Sequence, residues 1–374
     1  MPGLIPNIDP DGLLEYSVVY TDRALNHMSR SFQEVMKDIS SILNRVYHAE
    51  ETIVVPGSGT FAMEAVARQF ATNKKCLVIR NGWFSYRWTQ IFDAGKIPAE
   101  SNVMKARPIS TEKESPFSPA PIEEVVAAIE AQKPDLVFAP HVETSAGMIL
   151  PDSYIKSMAD AVHRVGGMLV LDCIASGTIW VDMAACGVDV LISAPQKGWS
   201  ASPCCGLVMM SKTAQERIKD TTSSSFACDL KKWQQIMQAY LSGGHAYHAT
   251  MPTDALRRFR NVVKETEAYG FDKVHQEQQE LGDKVRALLA TKGIKSVAAD
   301  GFCAPGVIVS YTSDKEVQSG KKFMEYGIQI AAGVPLQCDE PDNFQTFRIG
   351  LFGLEKLHNI DRTVANLERA INQL

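Results

Sequence analysis

The chain has 374 residues, 45% of them hydrophobic and 22% charged, with a formal net charge of -5. That make-up suits a globular protein with one large core and a smaller second one. The charge is spread without basic stripes or tails, and no apolar run is long enough to span a bilayer, so neither nucleic acid nor membrane is an expected partner.

The opening residues, MPGLIPNIDPDG, are rich in Pro and Asp and resemble neither a secretory nor a transit peptide. The closing AINQL matches no peroxisomal or retention signal, and a cytoplasmic location is expected. The 8 cysteines form no CxxC pairs and read as reduced, buried thiols, with the roles of adjacent Cys204 and Cys205 and of Cys338 left open. Residues 1–20 show no clear periodicity and are expected to run over the surface or onto a partner.

From Thr52 onward short apolar runs alternate with helical patterns. The runs are TIVVP (52–56), CLVIR (76–80), DLVFAP (135–140), MLVLDC (168–173), DVLISA (189–194) and GLVMM (206–210). Continuous Val, Ile and Leu mark strands buried on both faces. Between them DSYIKSMADAVHRVGG predicts a helix, with Ile155, Met158, Ala159 and Val162 on one face, Asp152 as its cap and Gly166–Gly167 as its stop. Such alternation predicts an α/β fold with a mostly parallel sheet, which binds ligands at the carboxyl ends of its strands. After Pro252 a long charged helical stretch leads into GVIVSYT, KEVQSGKKFMEYG, GIQIAAG, TFRIG and a closing helix, the pattern of a smaller α+β domain. The expected division is an N-terminal segment (1–20), a large domain (21–255) and a small C-terminal domain (256–374).

Four local features stand in order along this frame. PGSGTFAMEAV (56–66) joins a strand end to a helix through a Gly-Ser-Gly turn, which suits a phosphate, although it is neither GxGxxG nor a Walker loop. Asp172 ends the apolar strand MLVLDC, where an ionised carboxylate is costly unless it meets a cation. Lys197, in SAPQKGWSAS, follows the next strand; a buried lysine has a lowered pKa and a nucleophilic amine. Arg348 lies inside the strand-like TFRIG, and its fork suits a carboxylate. Taken singly, each has an ordinary explanation: a tight turn, a helix cap, a snorkelling side chain, a buried ion pair. Taken together they describe a phosphate cradle, an acid for a pyridinium nitrogen, a Schiff-base lysine and a carboxylate clamp, the requirements of pyridoxal 5′-phosphate.

The motifs GSGTFAMEA, NGWFSYR, HVETSAG, LVLDCIAS, SAPQKGW, YHATMP and FRIGLFG, in this order, resemble the class V aminotransferases of the alanine–glyoxylate and 2-aminoethylphosphonate–pyruvate type. The resemblance runs from about Asn26 to the C-terminus. It implies a pyridoxal-phosphate-dependent transferase of fold type I. It implies that Ser58, Gly59, Thr60 and Gln196 hold the phosphate, Phe84 stacks on the ring, and Thr144 lies near its phenolic oxygen. Asp172 would pair with the ring nitrogen, Ile174 would cover the opposite face, Lys197 would carry the Schiff base, and Arg348 would clamp the substrate carboxylate. Tyr247 and Thr250 would reach the phosphate in a neighbouring subunit, which makes a homodimer the expected unit. Where the family opens with a GPGP-like segment, this chain has DGLLEYSVVYTDRALNHMS, and Cys204–Cys205 stand where a Pro-Gly-like pair is common.

The expected reaction moves an amino group from an alanine- or serine-like donor to glyoxylate or pyruvate with ping-pong kinetics, Lys197 acting as base and then acid. The alternative is a 2-aminoethylphosphonate–pyruvate transaminase. Less favoured are a cysteine desulfurase or lyase, which needs a mobile cysteine such as Cys338 in the loop-like VPLQCDEPDNF, and a non-catalytic cofactor-binding regulator, which normally carries a DNA-binding segment absent here. No metal site is expected at His245 and His248, which lack a suitably spaced carboxylate or cysteine.

Overall fold

A computed structural model describes residues 12–374. The expectation for segment 1–20 therefore lies partly outside the described residues. Residues 12–20 form no helix or strand, and Leu13, Leu14, Tyr16 and Val18 are exposed.

The central sheet has seven strands: β1 (Glu51–Pro56), β2 (Lys75–Arg80), β3 (Glu100–Lys105), β4 (Leu136–Pro140), β5 (Met168–Asp172), β6 (Val190–Ser193) and β7 (Cys205–Met210). Their spatial order is β1-β7-β6-β5-β4-β2-β3. Strands β3, β2, β4, β5 and β6 run parallel, and β7 lies antiparallel to both β6 and β1. Six strands coincide with the apolar runs. The seventh, β3, has the sequence ESNVMK and is partly exposed, because it closes the sheet edge and need not be apolar throughout.

Helices cover the sheet. Helix α1 (Arg30–Tyr47) is capped by Ser29, whose hydroxyl accepts from the Phe32 N–H at 3.1 Å. It buries Phe32, Val35, Met36, Ile39 and Leu43 along one stripe, each such side chain stabilising the fold by about 1.5–3 kcal/mol. Helices α2 (Gly59–Phe70) and α3 (Trp83–Gly95) start just after β1 and β2, so their N-termini sit at the carboxyl ends of those strands. Helices α4 (Ile122–Gln132) and α5 (Asp152–Arg164) pack on each other. Asp152 is not the cap of α5: Pro151 holds that position, and Asp152 lies in the first turn, where its charge favours the helix dipole. Farther on lies α6 (Leu230–Leu241).

The long charged stretch after Pro252 divides into α7 (Thr253–Tyr269) and α8 (Phe271–Thr291) at Gly270, whose φ of 108° no L-residue adopts comfortably. Leu256, Phe259 and Val263 of α7 join the core around the sheet. Val274, Leu281, Val285 and Leu289 of α8 join a second core with Ile308, Phe347, Ile349, Leu367 and Ile371. There β8 (Val307–Tyr311), β9 (Ala331–Ala332) and β10 (Thr346–Gly350) form an antiparallel sheet in the order β8-β10-β9, and α9 (Ile360–Ile371) closes the chain. The helical KEVQSGKKFMEYG divides into Lys315–Gln318 and Lys321–Glu325. Among the described residues no helix is long and apolar enough to cross a membrane.

One backbone contact sets the turn after β6. A Cβ on Gly198 would lie 1.8 Å from the carbonyl oxygen of Gly177. Two main chains touch there, and no side chain fits between them. Trp199, 1% exposed, then inserts beside Trp180 with ring centres 4.6 Å apart, near Tyr47 and Phe271. Gly198→Ala is therefore expected to cost more than about 2 kcal/mol of stability and to displace the turn. Denaturant unfolding checks this, and a variant as stable as the parent contradicts the contact.

Candidate active site

The carboxyl ends of β1, β2, β5 and β6 surround a cavity of about 230 Å³. Ser58, Gly59, Thr60, Phe84, Thr144, Asp172, Ile174, Gln196 and Lys197 line it, joined by Met63, Arg87, Val142 and Ala175. Residues far apart in the chain thus meet because successive strands end at one rim. Ser58 precedes α2 without capping it through its side chain. The first-turn N–H groups of α2 consequently have no helical acceptor and suit an anion.

Asp172 ends β5 and is 8% exposed; its Oδ1 accepts from the Ile174 N–H at 2.9 Å. Burial raises its pKa from 3.8 to about 6, against the lowering effects of that N–H and of the nearby Lys197 charge. Lys197 follows β6 in a turn held by the Ser200 N–H on the Lys197 carbonyl at 3.0 Å and by the Ala201 N–H on the Pro195 carbonyl at 2.9 Å. Burial lowers its pKa, and the nearby carboxylates of Asp172 and Glu143 oppose that shift. Its Nζ lies 5.6 Å from the ring centre of Phe84 and 5.9 Å from that of Phe352. The same Phe84 ring has the guanidinium carbon of Arg348 at 5.6 Å. Arg348 donates from Nε to the Ala332 carbonyl at 2.8 Å and makes no ion pair among the described residues, so its fork keeps donors for a ligand.

Tyr247 and Thr250 stand outside this group. They bond to each other, Oη to Oγ1 at 3.0 Å, and Tyr247 is exposed. His248 bonds to the Phe226 carbonyl at 2.8 Å, and His245 lies against His27. Cys338 is not a mobile loop thiol. It is 3% exposed, donates to the Arg80 carbonyl at 3.3 Å, and burial pushes its pKa up to about 12. Cys204 and Cys205 are buried side by side at the start of β7, with their sulfurs 3.9 Å apart.

Sequence reasoning overlooked two charged residues here. Glu143, fully buried, accepts from the N–H groups of Phe84 (3.2 Å), Ser85 (2.9 Å) and Ser145 (3.0 Å) and from the hydroxyls of Ser85 and Ser145, both at 2.7 Å. One carboxylate thus ties the start of α3, and with it Phe84, to the segment bearing Thr144. The signal was the one carboxylate of HVETSAG, set among the small residues of the motif. Arg87 follows Phe84 by three positions on α3, a spacing that puts both on one helix face.

These residues fit pyridoxal 5′-phosphate. Thr144 Oγ1 is buried and has no partner, an acceptor or donor left for a ligand. Asp172 is a buried acid short of a cation, Lys197 a buried amine, and Phe84 and Ile174 are apolar groups lining the space between.

The acid's raised pKa has a consequence for the ligand-free protein. Between about pH 4 and 6 the folded state holds the Asp172 proton more tightly than the unfolded state, so stability falls as pH rises through that window, by about 3 kcal/mol in full. Asp172→Asn without cofactor is expected to melt above the parent at pH 7 and to converge with it near pH 4. Melting curves across pH check this; a gap that does not change with pH would refute the burial argument.

Residues 13–351 match the family Aminotransferase class-V. A Synechococcus protein called soluble hydrogenase, small subunit, is 25% identical over 94% of this chain and 88% of its own length. The alanine–glyoxylate aminotransferase of Callithrix jacchus is 24% identical over 93% of this chain and 82% of its own. The 2-aminoethylphosphonate–pyruvate transaminase of Vibrio parahaemolyticus is 26% identical over 86% and 83%. Among solved structures, alanine–glyoxylate aminotransferase from Nostoc superposes with a TM-score of 0.77 over 92% of this chain and 88% of that one, at 22% identity. Ureidoglycine–glyoxylate aminotransferase from Bacillus subtilis does so at 0.79 over 96% and 88%, at 19% identity, and both show the shared fold. With its family matched over most of its length, the chain belongs to the class-V aminotransferases, enzymes of the pyridoxal-phosphate-dependent type.

Proposed function

We propose that the protein transfers an amino group from a small alanine- or serine-like donor to glyoxylate or pyruvate, using pyridoxal 5′-phosphate. The observation that carries this reading is the placement of a buried amine, Lys197, and a carboxylate-binding cation, Arg348, each 5.6 Å from the same Phe84 ring. The relatives that act on alanine with glyoxylate support the substrate pair. The 2-aminoethylphosphonate relative supports a second donor.

Bound in the cavity, the cofactor supplies an aldehyde and an electron-accepting ring. Ser58, Gly59, Thr60 and Gln196 would hold its phosphate, Phe84 and Ile174 its two ring faces, and Thr144 its phenolic oxygen. Asp172 would pair with the ring nitrogen and favour its protonated form. Lys197, its pKa lowered by burial, would remove the proton from the donor's α-carbon and later return one. Arg348 binds the carboxylate of donor and acceptor alike and holds the α-carbon near Lys197.

Lys197→Ala is expected to abolish both turnover and the visible absorbance of the purified protein. Arg348→Ala is expected to raise KM for the oxo acid about tenfold or more while the spectrum stays unchanged. Retained turnover in the first variant, or unchanged KM in the second, would remove that residue from its role. A panel of amino donors separates the two substrates: phosphonoacetaldehyde as product favours the phosphonate.

The same reading makes the working unit a homodimer, with Tyr247 and Thr250 serving the partner's site. Support comes from the exposure of the large side chains Tyr247, Phe226, Phe61, Tyr16 and Val18. Sedimentation is expected to give a dimer, and an active monomer would refute it. The free thiols among the described residues support a reducing, cytoplasmic location.

A further inference from the structure

Arg87 lines the cavity and no role so far uses it. Its Nη1 donates to Thr60 Oγ1 at 3.1 Å, and its guanidinium carbon lies 5.3 Å from the Phe84 ring centre. Among the described residues it makes no ion pair. A guanidinium has five N–H donors, so most of its capacity is unspent. Thr60 is the second residue of α2 and places that guanidinium beside the helix's N-terminal amides. A separate feature marks the cavity as a ligand site: the buried Thr144 Oγ1, on its wall, has no partner.

Charge decides what Arg87 is for. A phosphate monoester carries close to two negative charges at neutral pH. The hydroxyls and amides at residues 58–60 are neutral, and a helix N-terminus offers about half a positive charge. Leaving a dianion so weakly compensated in a confined cavity is costly. Lys197 would be taken up by the cofactor's aldehyde carbon, and Arg348 is fastened to the Ala332 carbonyl of the small sheet. Arg87 is the remaining cation on the cavity wall.

We propose that Arg87 is the charged ligand of the cofactor's phosphate, completing the cradle formed by Ser58, Gly59 and Thr60. This rests on the pyridoxal-phosphate reading above. It is tested by binding, apart from turnover. Cofactor-free parent, Arg87→Gln and Arg87→Lys are titrated with pyridoxal 5′-phosphate and with pyridoxal, which lacks the phosphate, following visible absorbance. The expected result is a 10- to 100-fold rise in the Kd for pyridoxal 5′-phosphate in Arg87→Gln, with the Kd for pyridoxal unchanged and partial recovery in Arg87→Lys. Inorganic phosphate added with pyridoxal is expected to tighten binding in the parent and not in Arg87→Gln.

Four results would overturn the assignment. Equal loss of affinity for both compounds makes Arg87 a packing residue. Unchanged affinity for pyridoxal 5′-phosphate with a raised KM for donor or oxo acid moves Arg87 to the substrate. A parent that binds neither compound overturns the cofactor reading and this assignment together, whereas a parent that binds while Arg87→Gln binds equally overturns only the assignment.

Discussion

The site depends on burying two ionisable groups of opposite sign at the ends of neighbouring strands. Burial in one cavity pushes the Asp172 acid up and the Lys197 amine down. Each partly relieves the other through space, yet no bond joins them. The free protein is therefore left with an acid lacking a cation and an amine lacking a partner. A ligand with a basic ring nitrogen at one end and a carbonyl at the other relieves both at once. That mutual relief is a thermodynamic reason for such a ligand to bind, beyond any surface it buries.

Holding two such groups in place requires a rigid surround. The main-chain contact between Gly198 and Gly177 fixes the turn that carries Lys197, and Trp199 anchors that turn in an aromatic cluster. On the other wall the Glu143 carboxylate gathers five donors from two chain segments. Those donors fill the acceptor capacity of its two oxygens, as a buried carboxylate requires. Its negative charge also opposes the desolvation of Lys197 and Arg348. The second core takes part through the Leu354 N–H, which donates to Ser200 Oγ at 2.9 Å, and through Arg348 on β10. Arg348 and Lys197 are thus supplied by different cores that meet at one turn.

Much of this was readable from residue order. The buried parallel strands announce themselves as continuous runs of Val, Ile and Leu, because both faces are covered. Asp172 and Lys197 stand out because charge at the end of such a run is expensive. Strand β3 did not stand out, since an edge strand with partly exposed side chains carries no such run. The break at Gly270 was hidden inside a stretch whose apolar spacing reads as helical on both sides. Arg87 and Glu143 lay within motifs already singled out, but what each charge meets depends on segments 27 and 58–59 positions away.

The sequence by itself determined the layered α/β plan and named the side chains that gather at the strand ends, because burial and periodicity are written in local composition. The tertiary structure alone decided that Cys338 is sealed in a core, that Arg348 meets no carboxylate among the described residues, and that Glu143 binds two walls of the cavity together. Those outcomes depend on distances between residues remote in the chain, and desolvation and hydrogen bonding act on such distances rather than on neighbours in sequence.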